Sequence, residues 1–243
     1  MAKIRWPLVA RRFHKWLALV VGVQVLAWSL TGFYMVAINI SHIHGDHLVK
    51  TPAAQPFDLS QLVSPSQIVT AAPTASEISL TRRLNQAVWK AVSPDGPALF
   101  DAKTGEKLAP PNEAEIKRYA QALYTGDGDI ISVRLLTKGL QETGGRKPPF
   151  WQVEFEGWNR PTLYLSAQTG ELMAKRHFAW RGFDIAWMLH IMDYDERSDV
   201  NNLLLRTVTW LSFGMAVSGA WLLFWAFPRK RKKKKAVIKE QGV

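Results

Sequence analysis

The sequence of 243 residues contains no cysteine. The chain can therefore form no disulfide, and it cannot supply a thiolate nucleophile, attach haem c covalently or ligate an iron–sulfur cluster. It also has no Gly-x-Gly-x-x-Gly pattern after a strand, so nothing in it resembles a flavin or nicotinamide site. No motif predicts catalytic residues, and whether the chain is an enzyme stays open.

Charge is missing from two long stretches. Residues 16–38 form a run of 23 without an acidic or basic side chain, and residues 207–227 form a second run of 21. About 20 apolar residues suffice for a helix to cross the hydrocarbon core of a membrane. We therefore predict transmembrane helices over residues 16–40 and 203–227. No small-x-small cleavage pattern follows the first run, which favours an uncleaved signal anchor.

The net charge of +11 is concentrated at the two ends of the chain. Five basic residues precede the first run and eight follow the second, whereas residues 41–202 carry 17 basic and 19 acidic side chains. Basic flanks predict cytoplasmic tails at residues 1–15 and 228–243, and they place the segment between the spans in the periplasm of a bacterial inner membrane. The lipid bilayer is thus the predicted partner of the basic residues, and the distribution argues against nucleic acid.

The periplasmic insert contains an internal duplication. A tryptophan, two alternating strands joined by a turn, and the sequence Ala-x-Thr-Gly-Glu occur in the same order over residues 89–108 and 151–173. The glycine of each Thr-Gly-Glu is expected to adopt positive φ. A helix is predicted before each copy, at residues 64–72 and 113–124. This pattern predicts an α+β membrane protein, with two α+β units between its transmembrane helices.

The insert is predicted to have four parts. In chain order they are a linker with a histidine cluster at 41–58, repeat units at 59–110 and 111–178, and an interfacial segment at 179–202. Within the second unit, the glycine-rich residues 139–149 are predicted to form a mobile loop.

Several motifs occur in an order that resembles the PepSY-associated transmembrane family. They are Arg-Arg-Phe-His14-Lys-Trp16, Trp-Ser-Leu-Thr-Gly32, the two Thr-Gly-Glu repeats, Leu189-His190 and Val217-Ser-Gly219. The resemblance implies that the repeat units are PepSY-like. It also implies an inner-membrane protein of electron transfer or iron uptake, since some members contain haem and reduce ferric siderophores or work with flavoproteins. Those members have more than two spans, so a homodimer or a redox partner subunit is expected here.

The histidines are the candidate ligands for haem b, which needs imidazoles on both faces of the iron. His14 and His190 lie at opposite ends of the first span, about 35 Å apart at 1.5 Å per residue, so they cannot bind the same haem. We expect His190 to pair with His42 or His44. His14 would need a partner from a second copy or another subunit. The predicted function is an electron-transfer or reductase component that links the membrane to the periplasm.

Two alternatives remain open at this point. His42, His44 and His47 could instead form a metal site, since imidazoles suit Zn, Cu and Ni, with Asp46 as a fourth ligand. The chain could also be a membrane-anchored PepSY binding module without a cofactor, which inhibits or scaffolds a periplasmic peptidase or another envelope protein.

Overall fold

A computed structural model describes residues 6–50, 56–83 and 86–226. Most of the predicted basic tails, including residues 228–243, lie outside the described residues. The helices are α1 (Trp6–Ala37), α2 (Ile40–Ile43), α3 (Pro65–Ala71), α4 (Glu113–Leu123), α5 (Phe178–Ile191) and α6 (Leu203–Ala226). The strands are β1 (Glu77–Arg83), β2 (Gln86–Ser93), β3 (Gly96–Asp101), β4 (Ile130–Leu136), β5 (Phe150–Phe155), β6 (Thr162–Ser166) and β7 (Leu172–Arg176). The predicted α+β class is confirmed.

The chain divides into two compact units. The first, which we call the helical unit, comprises the chain up to Gly32 and the chain from Met188 onward. The second, which we call the sheet unit, is Phe33–Trp187 and contains both sheets.

In the helical unit, α1 and α6 are long and apolar enough to cross a membrane, judged by length and composition. Their large side chains are mostly exposed: Val23 and Phe224, for example, expose 78% and 79% of their surface. Helix α6 agrees closely with the predicted span at 203–227. Helix α1 begins at Trp6, well before residue 16, because arginine and lysine are good helix formers and do not end a helix.

The helical unit also contains the turn that follows α5. The Asp193 carboxylate accepts hydrogen bonds from the backbone N–H groups of Ser198 and Asp199, both at 2.9 Å. The Asn202 amide donates to Ile191 O at 2.9 Å, and its side-chain oxygen caps the start of α6 at Leu205 N. Free carbonyls at a helix end need such partners, so this acidic segment acts as a hydrogen-bonded connector.

The sheet unit contains two antiparallel sheets, with strand orders β1-β2-β3 and β4-β5-β6-β7. Each follows a helix that begins with a cap: Ser64 with Pro65 at α3, and a capping box of Asn112 and Glu115 at α4. These caps satisfy N–H groups that the helix itself leaves unpaired. Both helices agree with the sequence-based prediction.

The two Thr-Gly-Glu turns have the same hydrogen-bond pattern. Asp101 Oδ1 accepts hydrogen bonds from the backbone N–H groups of the two residues before Gly105. Ser166 Oγ accepts the corresponding hydrogen bonds from the two residues before Gly170. Each glycine donates to the carbonyl of that Asp or Ser and has φ near +75°. Only glycine adopts this conformation without strain. The predicted duplication is therefore present in the backbone as well as in the sequence.

The two repeats have separate hydrophobic cores. The first is built around Ile68, Ala91 and Phe100. The second is larger and contains nine buried residues: Leu48, Ile116, Ala120, Leu123, Tyr124, Val153, Phe155, Leu163 and Leu165. Leu48 comes from the segment before the first repeat, so the second core also uses chain from outside the repeat.

Residues 40–50, predicted as part of a linker, are folded onto the second repeat. They form α2 and a 3-10 turn at Asp46–Leu48. Ile43 is fully buried, and Lys50 N donates to Leu123 O at 2.8 Å. Burial of its apolar side chains stabilises the position of this segment. Local sequence patterns do not show this burial, because it involves distant parts of the chain.

Residues 139–149, where the sequence predicts a mobile loop, make hydrogen bonds to other elements through Glu142. Glu142 accepts from Arg181 Nε at 2.8 Å and from the Tyr164 hydroxyl at 2.8 Å, and Gln152 Nε2 donates to the same hydroxyl. Thr143 is buried. This charged network joins the segment to β5, β6 and α5.

Candidate functional site

The histidines occur in two settings. His14 and His190 belong to the helical unit, where each stands alone. The other four belong to the sheet unit, and three of them meet there.

His14 in α1 is held by a hydroxyl of α6. Its Nδ1 lies 3.0 Å from Ser218 Oγ and 3.2 Å from Met215 O. A carbonyl can only accept, and Ser218 donates its own hydrogen to Met215 O at 2.8 Å. The neutral ring therefore carries its proton on Nδ1, and Nε2 keeps its lone pair. A Cβ at Gly219 would lie 3.1 Å from His14 Cε1, so glycine allows the ring to lie against α6.

His190, near the end of α5, is held in a similar way by α1. Its Nδ1 lies 2.9 Å from Thr31 Oγ1, and that hydroxyl donates to Ala27 O at 2.7 Å. Thr31 must then accept from Nδ1, which again leaves Nε2 with a free lone pair. The backbone is fixed too, because Trp28 Nε1 donates to His190 O at 2.7 Å. Both helical histidines thus have the same tautomer.

An apolar groove of about 360 Å³ lies between α1 and α6. Ser218, the hydroxyl that holds His14, is one of its lining residues. The others include four aromatic side chains and two small residues: Trp6, Phe13, Phe213, Trp221, Ala10 and Gly214. Such a lining suits an apolar molecule better than a polar one.

In the sheet unit, His42, His47 and His177 form a cluster. Each offers one ligand nitrogen, and these nitrogens lie within 4.8 Å of one another. The rings of His42 and His47 are stacked, with centroids 4.3 Å apart and planes 7° from parallel. His177 meets both rings edge-on, at 5.3 Å and 5.2 Å. His42 and His47 are exposed, whereas His177 is buried.

The protonation of His177 follows from its hydrogen bonds. Its Nε2 lies 2.8 Å from His42 O and 3.2 Å from Ile43 O, two groups that can only accept. Nε2 therefore carries the proton and Nδ1 holds the lone pair. Burial lowers the pKa of the His177 ring, although the two carbonyls oppose that shift. Burial also lowers the pKa of His47, and the neighbouring imidazoles add to the effect.

A tight turn places the two exposed histidines against His177. Gly45 adopts φ +72°, and a Cβ there would lie 3.0 Å from Leu48 Cδ1 and 3.5 Å from His177 Cδ2. Asp46, predicted as a fourth metal ligand, pairs with Lys175 Nζ at 2.6 Å. That ammonium group lowers the pKa of the Asp46 carboxyl. Asp46 thus already has a cationic partner.

The cluster differs from the predicted metal set in one member. His44 was expected to join His42 and His47, but His177 stands in that position. His44 directly follows α2 and is two residues from His42, a spacing that does not place two side chains on one helix face. His177 is 135 residues from His42 in the chain, and only its position directly after a strand of the second repeat could have drawn attention to it. The pairing of His190 with His42 or His44 stays a prediction.

Comparisons with protein-family models, curated protein sequences and solved structures found no match. The resemblance to the PepSY-associated transmembrane family therefore stays a prediction, and the functional argument depends on the residues themselves.

Proposed function

We propose that this chain is a membrane-anchored electron-transfer component that binds haem b through His14 and His190. The observation that carries the proposal is that Nδ1 of each histidine lies within hydrogen-bond distance of a hydroxyl, from which the shared tautomer follows. Each donates Nδ1–H to a hydroxyl on a neighbouring helix and leaves Nε2 free. Histidine ligands of metals typically have their second nitrogen held by such a hydrogen bond.

The surroundings of the two rings also suit a porphyrin. Gly219 lets the His14 ring lie close to α6, and Gly32 lies beside the His190 ring, where a Cβ would be 3.8 Å from Cε1. Next to Ser218, the apolar groove offers aromatic and small residues. The exposed apolar surface of α1 and α6 favours a hydrocarbon environment over water, which agrees with a site inside a membrane.

A second copy of the chain would complete the ligand set. Haem b held by two histidines needs an imidazole on each face. His14 and Thr31, the residue that holds His190, are about 26 Å apart along α1 at 1.5 Å per residue. The two histidines therefore serve different haem groups, each with its second ligand from a partner. A symmetric dimer supplies a second His14 and a second His190 at matching levels.

The residues of this chain would orient the imidazole ligands of a bound haem and adjust its reduction potential. Haem supplies reversible one-electron transfer when bound. Ser218 and Thr31 fix the direction of each imidazole and increase its basicity through Nδ1, which stabilises the oxidised state of a ligated iron. We propose the periplasmic side as the destination of the electrons. Ferric siderophores and flavoproteins are suggested as partners by the family resemblance alone.

The visible spectrum of the full-length protein tests the proposal. Protein purified in detergent from haem-supplied cells should show a Soret band, with sharp α and β bands after reduction. His14→Ala and His190→Ala should each remove part of the haem, and the double variant all of it. A colourless, folded wild-type protein would overturn the proposal and favour the cofactor-free binding module.

Two variants that each remove a hydroxyl separate an effect on the reduction potential of the haem from a general disturbance of a helix. Thr31→Val should keep haem bound but raise the reduction potential of the site at His190, because the ligand loses its hydrogen-bond acceptor. Thr207→Val is the control, since Thr207 donates only to Leu203 O in its own helix. His44→Ala tests the other predicted pairing: loss of haem in this variant would identify His44 as the partner of His190.

The proposed topology can be tested because the chain has no native cysteine. Ser60→Cys in the sheet unit should react with a membrane-impermeant maleimide in intact cells, since Ser60 is exposed. Ala236→Cys, in the basic tail, should react only after the membrane is opened. The reverse result would contradict a periplasmic sheet unit.

A further inference from the structure

The three imidazoles of the sheet unit converge without any role in the proposed haem site. Their ligand nitrogens already lie within 4.8 Å of one another. Around a tetrahedral zinc ion, nitrogens at 2.0–2.1 Å from the metal are about 3.3 Å apart. Rotation of the two exposed rings, His42 and His47, would supply the missing 1–2 Å, since exposed side chains change rotamer freely.

The buried member of the cluster, His177, has one ring nitrogen that makes a hydrogen bond and one that can act as a ligand. His177 Nε2 donates to His42 O and Ile43 O, which leaves Nδ1 as the only nitrogen with a lone pair. A backbone carbonyl on the second nitrogen is a usual outer partner of a metal-bound histidine. The ring also has little freedom to move, because His177 is only 2% exposed.

The backbone that carries the other two histidines is fixed at several points. Ile43 and Leu48 are buried. The Thr125 hydroxyl donates to His47 O at 2.5 Å, and Lys175 holds Asp46 at 2.6 Å. Only the side chains of His42 and His47 then need to rearrange. A site whose backbone is already in place loses little conformational entropy when it binds.

We propose that His42, His47 and His177 bind a divalent transition-metal ion of the zinc class. Three neutral imidazoles and no carboxylate suit Zn²⁺, Cu²⁺ or Ni²⁺ rather than Mg²⁺ or Ca²⁺. The two exposed ligands leave the fourth position open to water or to a small anion, as in zinc sites with three protein ligands. The bound ion would fasten residues 42–47 to the chain at the start of α5.

Titration of the full-length protein with Zn²⁺ tests this proposal. The protein should be purified without a polyhistidine tag and stripped with a chelator before calorimetry. One Zn²⁺ per chain is expected, together with a higher melting temperature, since a ligand that binds only the folded state stabilises it. His42→Ala and His47→Ala should each weaken binding at least about 10-fold, because even outer partners of a metal contribute that much.

His44→Ala is the matched control. It removes an exposed imidazole from the same segment, one that is not in the cluster. Affinity equal to that of the wild type in His44→Ala, with loss in His42→Ala and His47→Ala, supports the site. No binding, or equal losses in all three variants, overturns it. His177→Gln is less suitable, because it changes a buried group and endangers folding.

The haem spectrum of the same samples keeps this proposal separate from the proposed function. His47→Ala should lose Zn²⁺ while keeping the wild-type Soret band. A colourless protein that still binds one Zn²⁺ would refute the haem proposal alone. Loss of the Soret band in His42→Ala, with unchanged Zn²⁺ binding, would assign His42 to haem and overturn the metal site.

Discussion

The two repeats of the sheet unit have the same order of helix and strands but differ in the size of their cores and in the number of strands. Both place a helix before three antiparallel strands, and the same Thr-Gly-Glu turn follows the third strand. The first has a core of three buried residues. The second has nine, a fourth strand and the buried His177. The framework is therefore common to both repeats, and the additions to the second repeat include His177, a member of the histidine cluster.

The largest expected difference between the repeats is in their cores. Ile116→Ala, in the larger core, should destabilise the sheet unit by about 4 kcal/mol, and Ile68→Ala by about 2 kcal/mol, because the smaller core can close around the cavity more easily. Urea unfolding of the full-length protein, followed by near-ultraviolet circular dichroism, would measure both. Equal losses would show that the two cores are equally rigid.

The network around Glu142 has no described counterpart in the first repeat. Glu142→Gln should cost about 1–2 kcal/mol, because Arg181 and the Tyr164 hydroxyl lose a charged acceptor. Both charged side chains are about a quarter exposed, so solvent screening reduces the effect. Glu106→Gln, at an exposed position of the first repeat, should change the urea midpoint little. A loss as large in Glu106→Gln would contradict this explanation.

The Lys90–Glu171 ion pair joins the two repeats. Lys90 Nζ lies 2.8 Å from both oxygens of Glu171, and the side chains are 24% and 34% exposed. A double-mutant cycle with Lys90→Met and Glu171→Gln should give a coupling of about 0.5–1 kcal/mol, which falls as salt is added. A coupling that does not depend on salt would argue against a screened ion pair.

The smallest effect is expected where the repeats are most alike. Asp101 and Ser166 accept the same two backbone hydrogen bonds. Exchanging them, as Asp101→Ser with Ser166→Asp, should change stability by no more than about 0.5 kcal/mol. A loss above about 1 kcal/mol in thermal unfolding would show that the turns are not equivalent.

Local sequence patterns predicted the elements that are encoded locally. Helices are predicted at residues 64–72 and 113–124, and the caps that the structure shows, Ser64 with Pro65 and Asn112 with Glu115, lie within a few residues of the helix starts. The charge-free run predicted α6 closely. The Thr-Gly-Glu motifs predicted both turns, because positive φ at Gly105 and Gly170 is a property of single residues.

Contacts between distant parts of the chain could not be predicted in this way. His177 joins residues 42–47 across 135 positions, and no periodicity encodes such a contact. The hydrogen bonds of Glu142 could not be predicted either, because its partners, Tyr164 and Arg181, lie on other elements. The sequence predicts Asp46 as a metal ligand, whereas in the structure its carboxylate forms an ion pair with Lys175. In each case the site depends on tertiary packing rather than on propensity.

Trp89 and Trp151 occupy matching places on the central strands, opposite Phe100 and Leu165. Within the described part of the chain, neither buried indole N–H has a hydrogen-bond partner. Replacing such an N–H therefore breaks no hydrogen bond between the described residues. Benzothienylalanine, which keeps the shape of tryptophan without the N–H, should be tolerated to the same extent at both positions.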